Sequence, residues 1–453
     1  MQTEEKKISL FKLVMFTVCS ILVLDSLAIP SIIGVSSITI WLFTAVVFFI
    51  PYGLINAELG STYPDDGGMI SWIGRAFGEC AAVVNAWFSW INVAFWMPAV
   101  FVTFTGWITL SYFPDANPWA LAAAAIALSW IVVWIGIRGI ELSVAVSDVA
   151  AVCKVAVVVI LGVLGIAYVV ANGPANDFSP PAFVPAFDDT LTYVPIIVYN
   201  LLGFELIASV ASEIEDPQHN IPKMTIIGGA LITALYVFGT FGILAAVPAE
   251  QVDTVSGFYD ALHELTSVCG PAQGIVFNVV MVAALATLVS NMVSWGMGSV
   301  EMLESIGLEK YSKLLGHKNA KYGTNDYAYI IMGAISTVMI VFNFSLSGDA
   351  NEIMWNLFSV GSFVFEVPYI FMFLAAWKLR KIDPDTPRVY EVPGGKAGLA
   401  ICVALSTAGI VASLFFLVWV PFDPVFHGSI FIGTLICTII GFRMYKKGSQ
   451  QSS

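Results

Sequence analysis

Runs of about 20 apolar residues recur along the whole chain of 453 residues. As a helix, each run is long enough to cross about 30 Å of hydrocarbon. A bilayer offers the backbone no water, so such segments must pair their amides internally, which favours helices. With 58% hydrophobic and 11% charged residues, the chain is too apolar for a series of soluble domains. We therefore predict an all-α membrane protein with twelve transmembrane helices, at residues 11–34, 36–58, 80–112, 118–137, 141–172, 191–212, 224–247, 273–300, 327–346, 354–378, 397–421 and 426–445.

The positions of lysine and arginine predict how the chain lies in the membrane. All but one of the nineteen basic residues fall between or at the ends of the apolar runs, on alternate connections. The positive-inside rule places these connections, and both termini, in the cytoplasm. The short tails favour a bacterial plasma membrane. The basic residues concerned are Lys6, Lys7, Lys12, Arg75, Arg138, Lys223, Lys310, Lys313, Lys318, Lys321, Lys378, Arg380, Lys381, Arg388, Lys396, Arg443, Lys446 and Lys447.

The rest of the composition excludes several classes of function. The formal net charge is −13, and the chain lacks the basic patch that nucleic acid would need. Four histidines and six scattered cysteines show no metal-ligand or disulfide spacing, and no phosphate loop or nucleophile–base arrangement is found. We therefore expect no enzyme activity, no metal, no cofactor and no nucleic-acid partner. No nucleotide-binding motif is found either.

Two of the predicted spans are interrupted by polar residues, glycine or proline at matching places. The interrupting residues are Asp25, Ser26 and Pro30 in the first span, and Asn200, Gly203 and Glu205 in the sixth. Because these spans are five helices apart, they run in opposite directions, which is typical of an inverted repeat. In such repeats the broken helices form a substrate site at the bilayer midplane. The alternative is that Pro30 and Gly203 only kink packed helices.

Several short motifs surround the sixth span and the connection between the second and third spans. They are Gly203-Phe204-Glu205, Ala211, Glu213, Asp216-Pro217 and Asn220-Ile221-Pro222-Lys223, then Ala57-Glu58-Leu59, Tyr63-Pro64, Gly67-Gly68, Trp72 and Ala76-Phe77-Gly78. This combination resembles the amino acid–polyamine–organocation superfamily of transporters, over essentially the whole chain. Three further segments resemble its glutamate/γ-aminobutyrate antiporter branch, namely Phe49-Ile50-Pro51, Val392-Pro393-Gly394-Gly395-Lys396 and Ser294-Trp295.

The resemblance implies an organisation and a function. It implies a ten-helix core of two inverted halves at 11–378, a cytoplasmic connection at 379–396, peripheral helices at 397–445, and cytoplasmic tails at 1–10 and 446–453. It also implies a sodium-independent secondary antiporter that exchanges an amino acid for an amine by alternating access. The alternative is a proton-coupled symporter for amino acids or polyamines, which would use the same residues. The expected partners are these small molecules and the lipid bilayer, and a homodimer is the assembly considered.

The first span departs from the superfamily at the substrate site. Many members bind the substrate carboxylate with a Gly-Ser-Gly run, where this chain has Asp25, Ser26 and Ala28. The glutamate/γ-aminobutyrate branch departs there too. We therefore expect Asp25 to receive a substrate ammonium or to pair with Lys154, because ionisable groups at this depth usually serve a function. A helix-end residue satisfied by nearby amides is the alternative.

Lys154 is the one basic residue inside an apolar run, where a lysine costs roughly 3 kcal/mol. Superfamily members without sodium coupling carry a fifth-helix lysine that resembles it, with the ammonium in the place of a sodium ion. We predict that this ammonium faces Ser294, which shares a face of the eighth span with Asn291. Lys154 is either a proton carrier or a permanently charged pin between helices, and both predict sodium independence.

Other side chains complete the predicted site. Glu205 would either link pH to gating or hold the broken helices together by hydrogen bonds. Asn200 is expected to face the same cavity, and Phe204 to cap the substrate as an aromatic lid. Asn92 and Trp96 share one face of the third span at i, i+4 and are expected to line the cavity, with packing as the alternative for Trp96.

Predictions also follow for two acidic residues and one short helix. Asp148 lies near the cytoplasmic end of the fifth span and is a minor candidate. Glu366 in the tenth span is either part of a gate or a partner of a neighbouring helix. Phe258, Leu262 and Leu265 predict a short amphipathic helix, which either lies flat at the membrane interface or belongs to an outer gate.

Overall fold

The computed structural model describes residues 8–64, 67–208, 214–346, 349–420 and 422–451, by backbone alone at 19, 140–151, 207–208, 217–218 and 451. Over these residues the chain is helical, and its one β pairing is an isolated bridge between Ile8 and Ile214. The helices are α1 (Leu10–Ile21), α2 (Ser36–Thr44), α3 (Ile50–Thr62), α4 (Met69–Phe77), α5 (Glu79–Tyr112), α6 (Pro118–Arg138), α7 (Ile140–Asn172), α8 (Val194–Tyr199), α9 (Glu205–Ala208), α10 (Pro217–Ala246), α11 (Ser256–Thr266), α12 (Gln273–Glu304), α13 (Leu308–Tyr311), α14 (Asp326–Leu346), α15 (Ala350–Ile382), α16 (Gly395–Leu417) and α17 (Pro424–Gln451). The predicted all-helical architecture is confirmed. The motif positions Ala211 and Glu213, and the side chain of Asp148, lie outside the described residues.

Ten helical segments in the described ranges are long and apolar enough to cross a membrane. They correspond to the second to fifth and the seventh to twelfth predicted spans. The first and sixth spans are divided instead. α1 ends at Ile21 and a 3₁₀ turn follows at Ile29–Ile33, whereas α8 ends at Tyr199 and α9 begins at Glu205. Both interruptions therefore lie where the sequence predicts them, and the count of twelve spans in an inverted repeat stays a prediction.

Local sequence explains how neighbouring helices are joined at a sharp corner. α6 begins at Pro118, whose fixed φ suits a first helical position, and Asn117 caps it by accepting the N–H of Trp119 at 2.9 Å. Gly139 ends α6 with a φ of +104°, a conformation that favours glycine. α7 begins at the next residue, so these two long helices are connected by a single glycine.

The helices bury part of their apolar side chains against one another and leave others exposed on the outside of the protein. α15 packs along α5, and α10 packs along α7, to form the densest contacts of the fold. On α17, by contrast, Phe431, Ile432 and Leu435 are more than half exposed. Water would penalise such a surface, whereas lipid tails cover it at no cost. The exposed face of α17 is therefore suited to the bilayer.

The short amphipathic helix predicted near residue 260 is α11. Its three apolar residues, Phe258, Leu262 and Leu265, are all buried, and Phe258 stacks on Trp107 with ring centroids 4.3 Å apart. The prediction that this helix lies flat at the membrane interface is wrong, because its apolar face packs into the protein rather than into lipid. A role in an outer gate stays a prediction.

A buried ion pair joins α3 to the end of α15. The carboxylate of Glu58 accepts bonds from Arg380 Nε at 2.6 Å and from Arg380 Nη2 at 2.5 Å. It also accepts the N–H of Val392 at 2.7 Å, and Arg388 Nε lies 3.7 Å away. Because buried charges are costly unless they are paired, this network fixes the segment after α15 against the end of α3.

Candidate functional site

The interruption of the first span begins where α1 ends, at Ile21. The hydroxyl of Tyr236, on α10, accepts the N–H of Val23 at 3.0 Å and donates to the carbonyl of Ile21 at 2.8 Å. Backbone groups freed at this break are thus bonded by a side chain, which a membrane interior requires. Asp25 and Ser26 follow in the same irregular stretch, and both are buried.

The interruption of the sixth span lies between Tyr199 and Glu205. Gly203 has a φ of +128°, and a β-carbon there would lie 3.1 Å from Cγ1 of Ile21, so the position favours glycine. The hydroxyl of Tyr52, on α3, accepts the N–H of Gly203 at 3.1 Å and that of Phe204 at 2.9 Å. The break is therefore more than a kink, because two of its amides are bonded outside the helix.

Two tyrosines hold the carboxylate of Glu205. Tyr52 donates to Oε2 at 2.5 Å, and Tyr369 on α15 donates to Oε1 at 2.7 Å. The side chain is buried, with 1% of the residue exposed. This geometry supports the interpretation that Glu205 holds the broken helix to its neighbours. A link between pH and gating stays a prediction.

Direct hydrogen bonds bring four of the predicted site residues together. Ser26 donates to Oδ1 of Asn200 at 2.8 Å, which joins the two interruptions. Trp96 donates from Nε1 to Oδ2 of Asp25 at 3.2 Å, which joins the first interruption to α5. Trp96 thus contributes a polar contact to the site as well as its packing.

Aromatic rings surround the Asp25 end of this cluster. The ring of Trp96 meets Tyr199 and Trp295 edge to face, with centroids 5.9 and 5.7 Å apart. Both of those rings also contact Phe365, at 5.1 and 5.7 Å. Tyr199 and Phe365 are not predicted from the sequence, because aromatic residues occur in most of the spans and their spacing carries no signal. The one signal that could identify Tyr199 is its position directly before the interrupted segment.

Lys154 is buried on α7 and donates to Oδ1 of Asn291, on α12, at 2.8 Å. The charge of Lys154 also acts on Asp25. Ser294, the predicted partner, donates to the carbonyl of Ser290 in its own helix at 3.1 Å. Asn291 is thus one polar group bonded to the ammonium, and a contact of Ser294 with Lys154 stays a prediction.

Several buried polar atoms of this cluster have no hydrogen-bond partner among the described residues. They are Oδ1 of Asp25, both Oδ1 and Nδ2 of Asn92, Nδ2 of Asn200 and Nδ2 of Asn291. Burying a polar group without a partner costs about 1–3 kcal/mol, so such atoms usually bind water or a ligand. The cluster thus offers one free carboxylate oxygen and several amide groups to a small polar molecule.

Two predicted site residues pack elsewhere. Phe204 stacks on Phe49 of the second span with centroids 4.7 Å apart, whereas Trp96, which donates to Asp25, has ring contacts with Tyr199 and Trp295. Ala28 lies against α11, where a β-carbon on Gly257 would be 3.3 Å from its own. These contacts do not support the predicted roles of Phe204 as a lid over the substrate and of Ala28 as part of the substrate site.

Glu366 forms a hydrogen bond with a residue of a neighbouring helix. Its Oε1 accepts a hydrogen bond from Ser413 of α16 at 2.8 Å, and the residue is fully buried. This contact supports the second of the two predictions, a pair with a neighbouring helix, over a gate.

The cluster around Asp25 has side chains that are suited to binding a small polar molecule. Over the described residues, no group of three or more His, Cys, Asp or Glu side chains is placed to hold a metal ion. The carboxylate of Asp25, flanked by aromatic rings, is suited to a cationic group, because both carboxylates and ring faces attract cations.

Comparisons with known proteins agree with this picture. A sequence model of the amino acid permease family matches residues 8–442. A probable agmatine/putrescine antiporter of Lactococcus lactis is 32% identical over 99% of this chain and 97% of its own length. The glutamate/γ-aminobutyrate antiporter of the same species is 23% identical over 93% of this chain and 84% of its own. A probable polyamine transporter of Arabidopsis thaliana is 23% identical over 79% of this chain and 68% of its own. These matches confirm the resemblance seen in the motifs: the chain belongs to the amino acid permease family, whose members are membrane transporters and not enzymes.

Proposed function

We propose that this protein is a sodium-independent antiporter that exchanges small amino compounds by alternating access, with at least one cationic amine among its substrates. The observation that carries the proposal is the unpartnered Oδ1 of Asp25, which is buried beside Trp96. A substrate ammonium would complete the bonding of that carboxylate. The relative named an agmatine/putrescine antiporter supports amines as substrates, and both of those compounds carry two positive groups.

Two further features support the finer parts of the proposal. The first span lacks the Gly-Ser-Gly run that binds a substrate carboxylate in many relatives, which favours amines over amino acids at Asp25. The buried ammonium of Lys154, bonded to Asn291, supports sodium independence, because the family resemblance implies a lysine in the place of a coupling sodium ion. The cytoplasmic termini, the division into core and peripheral helices, and a homodimer remain predictions of the sequence.

Counterflow in proteoliposomes tests this function. Vesicles are preloaded with agmatine, putrescine, glutamate or buffer, and uptake of labelled putrescine is followed with and without sodium. We expect uptake only into vesicles loaded with an amine or amino acid, and at the same rate in both media. Uptake into buffer-loaded vesicles that requires a proton gradient would establish the proton-coupled symporter instead.

A further inference from the structure

Two buried tyrosines, Tyr52 on α3 and Tyr236 on α10, bond the backbone of interrupted helices that are not their own. We infer that they are a matched pair of positioning residues, and that Tyr236 sets the position of Asp25 for a cationic substrate. The second part rests on the proposed function, whereas the first part does not.

Tyr236 spans the end of α1. The last regular bond of that helix runs from the N–H of Leu22 to Val18 at 2.8 Å. The Tyr236 hydroxyl then donates to the carbonyl of Ile21 and accepts the N–H of Val23, so one oxygen replaces two backbone bonds. Asp25 lies two residues beyond Val23. The direction in which the chain leaves α1, and hence the place of the Asp25 carboxylate, depends on this bridge.

Tyr52 performs the corresponding task at the sixth span. Its hydroxyl accepts two consecutive amides, those of Gly203 and Phe204, and donates to Glu205. Without that acceptor, two N–H groups would face an interior with no water to bond them. The hydroxyl thus fixes the start of α9 as Tyr236 fixes the end of α1.

Both phenol rings are held rigidly, as a positioning role requires. The ring of Tyr236 lies parallel to that of Trp41, with an interplanar angle of 10° and centroids 4.5 Å apart. Trp41 is itself anchored, because its Nε1 donates to Thr240 at 3.1 Å. Tyr52 is enclosed by aromatic rings at 5.5–5.9 Å, those of Phe48, Phe204, Phe373 and Tyr369.

The pair also matches in chain order. Tyr52 lies in the second predicted span and bonds the sixth, whereas Tyr236 lies in the seventh and bonds the first. In a repeat of five helices the second span corresponds to the seventh and the first to the sixth. Exchanging the two halves therefore exchanges the two tyrosines together with the breaks that they bond. One difference remains, since Tyr52 donates to a carboxylate and Tyr236 to a backbone carbonyl.

Hydrogen exchange of backbone amides tests the first part without any substrate. The variants are Tyr236→Phe and Tyr52→Phe, which remove only the hydroxyl, and Tyr168→Phe on α7 as a control away from both breaks. We expect about tenfold faster exchange at residues 21–26 in Tyr236→Phe and at 200–205 in Tyr52→Phe, each with the other break unchanged. Unchanged exchange at both breaks, or a rise spread evenly over the protein, would overturn the pairing.

Transport kinetics test the second part. In Tyr236→Phe we expect the KM for agmatine to rise about tenfold, with the maximal exchange rate within about twofold of the wild type. In the background of Asp25→Asn, Tyr236→Phe should have no further effect on agmatine binding, whereas Tyr52→Phe should still weaken it. Equal additional losses for both would show that Tyr236 does not act through Asp25. If the wild type carried no amine at all, the proposed function would fail while the hydrogen-exchange result still decided the pairing.

Discussion

Replacing Glu58 by Gln should lower the free energy of unfolding by about 3 kcal/mol. The change removes the negative charge that is hydrogen-bonded to Arg380 and lies 3.7 Å from Arg388, two side chains that are only 11% and 7% exposed. Breaking a buried pair in this way costs about 3–5 kcal/mol. We take the lower end, because the Gln side chain keeps one oxygen that still accepts a bond from Arg380 or from the N–H of Val392.

Reversible unfolding in mild detergent, followed by tryptophan fluorescence, measures this loss. The matched control is Glu304→Gln, because Glu304 accepts a bond from Lys318 in an exposed ion pair whose side chains are 39% and 49% accessible. That variant should lose less than about 1 kcal/mol. Arg380→Gln should also cost much less in the Glu58→Gln background than in the wild type. A loss for Glu58→Gln no larger than that of the control would refute the reasoning.

Two further predictions concern charge. Lys154→Met should reduce amine exchange at least about tenfold, because it leaves Oδ1 of Asn291 without its donor and Asp25 without the nearby positive charge. The exchange flux is measured with and without sodium. Full activity in either medium would contradict the prediction. Hydrogen bonds from Thr386 and Tyr63 lower the pKa of Asp383 from its ordinary 3.8. A lowered pKa stabilises the folded state above pH 3.8 and loses that effect as pH falls toward the folded value. Asp383→Asn should therefore lower the melting temperature at pH 7, and the difference from the wild type should shrink as pH falls below 3.8 toward the lower pKa of the folded state. A constant difference at all pH values would contradict this.

The sequence predicts the number and positions of the helices better than the contacts between them. Long apolar runs and alternating basic connections leave helices as the only choice, so ten spans are found where they are expected. The two interruptions are also predictable, because Asp25 and Glu205 are ionisable residues within apolar runs and stand near proline or glycine. What periodicity cannot show is which helix faces which, and for that reason the sequence leaves both the membrane interface and an outer gate open for α11.

The site itself is only half predictable for the same reason. Polar residues such as Asp25, Asn200 and Lys154 are conspicuous in apolar runs, and the described structure brings them to one region. Tyr52 and Tyr236 are not conspicuous, because in the sequence each resembles any other aromatic core residue. Only the structure shows that their hydroxyl groups form hydrogen bonds with the backbone of a distant span. Glu58 appears in the sequence only as part of a short motif, and its ion pair with residues more than 300 positions away has no local signal.

The most direct test is the binding of labelled putrescine to the purified wild type, to Asp25→Asn, and to Asp253→Asn as a control in the exposed connection between α10 and α11. Melting temperatures of all three establish that they are folded. The account predicts that Asp25→Asn lowers putrescine affinity at least about a hundredfold, as expected when a buried cation loses its counter-charge, while Asp253→Asn binds as the wild type. Wild-type affinity in folded Asp25→Asn would contradict the assignment of the amine to this carboxylate.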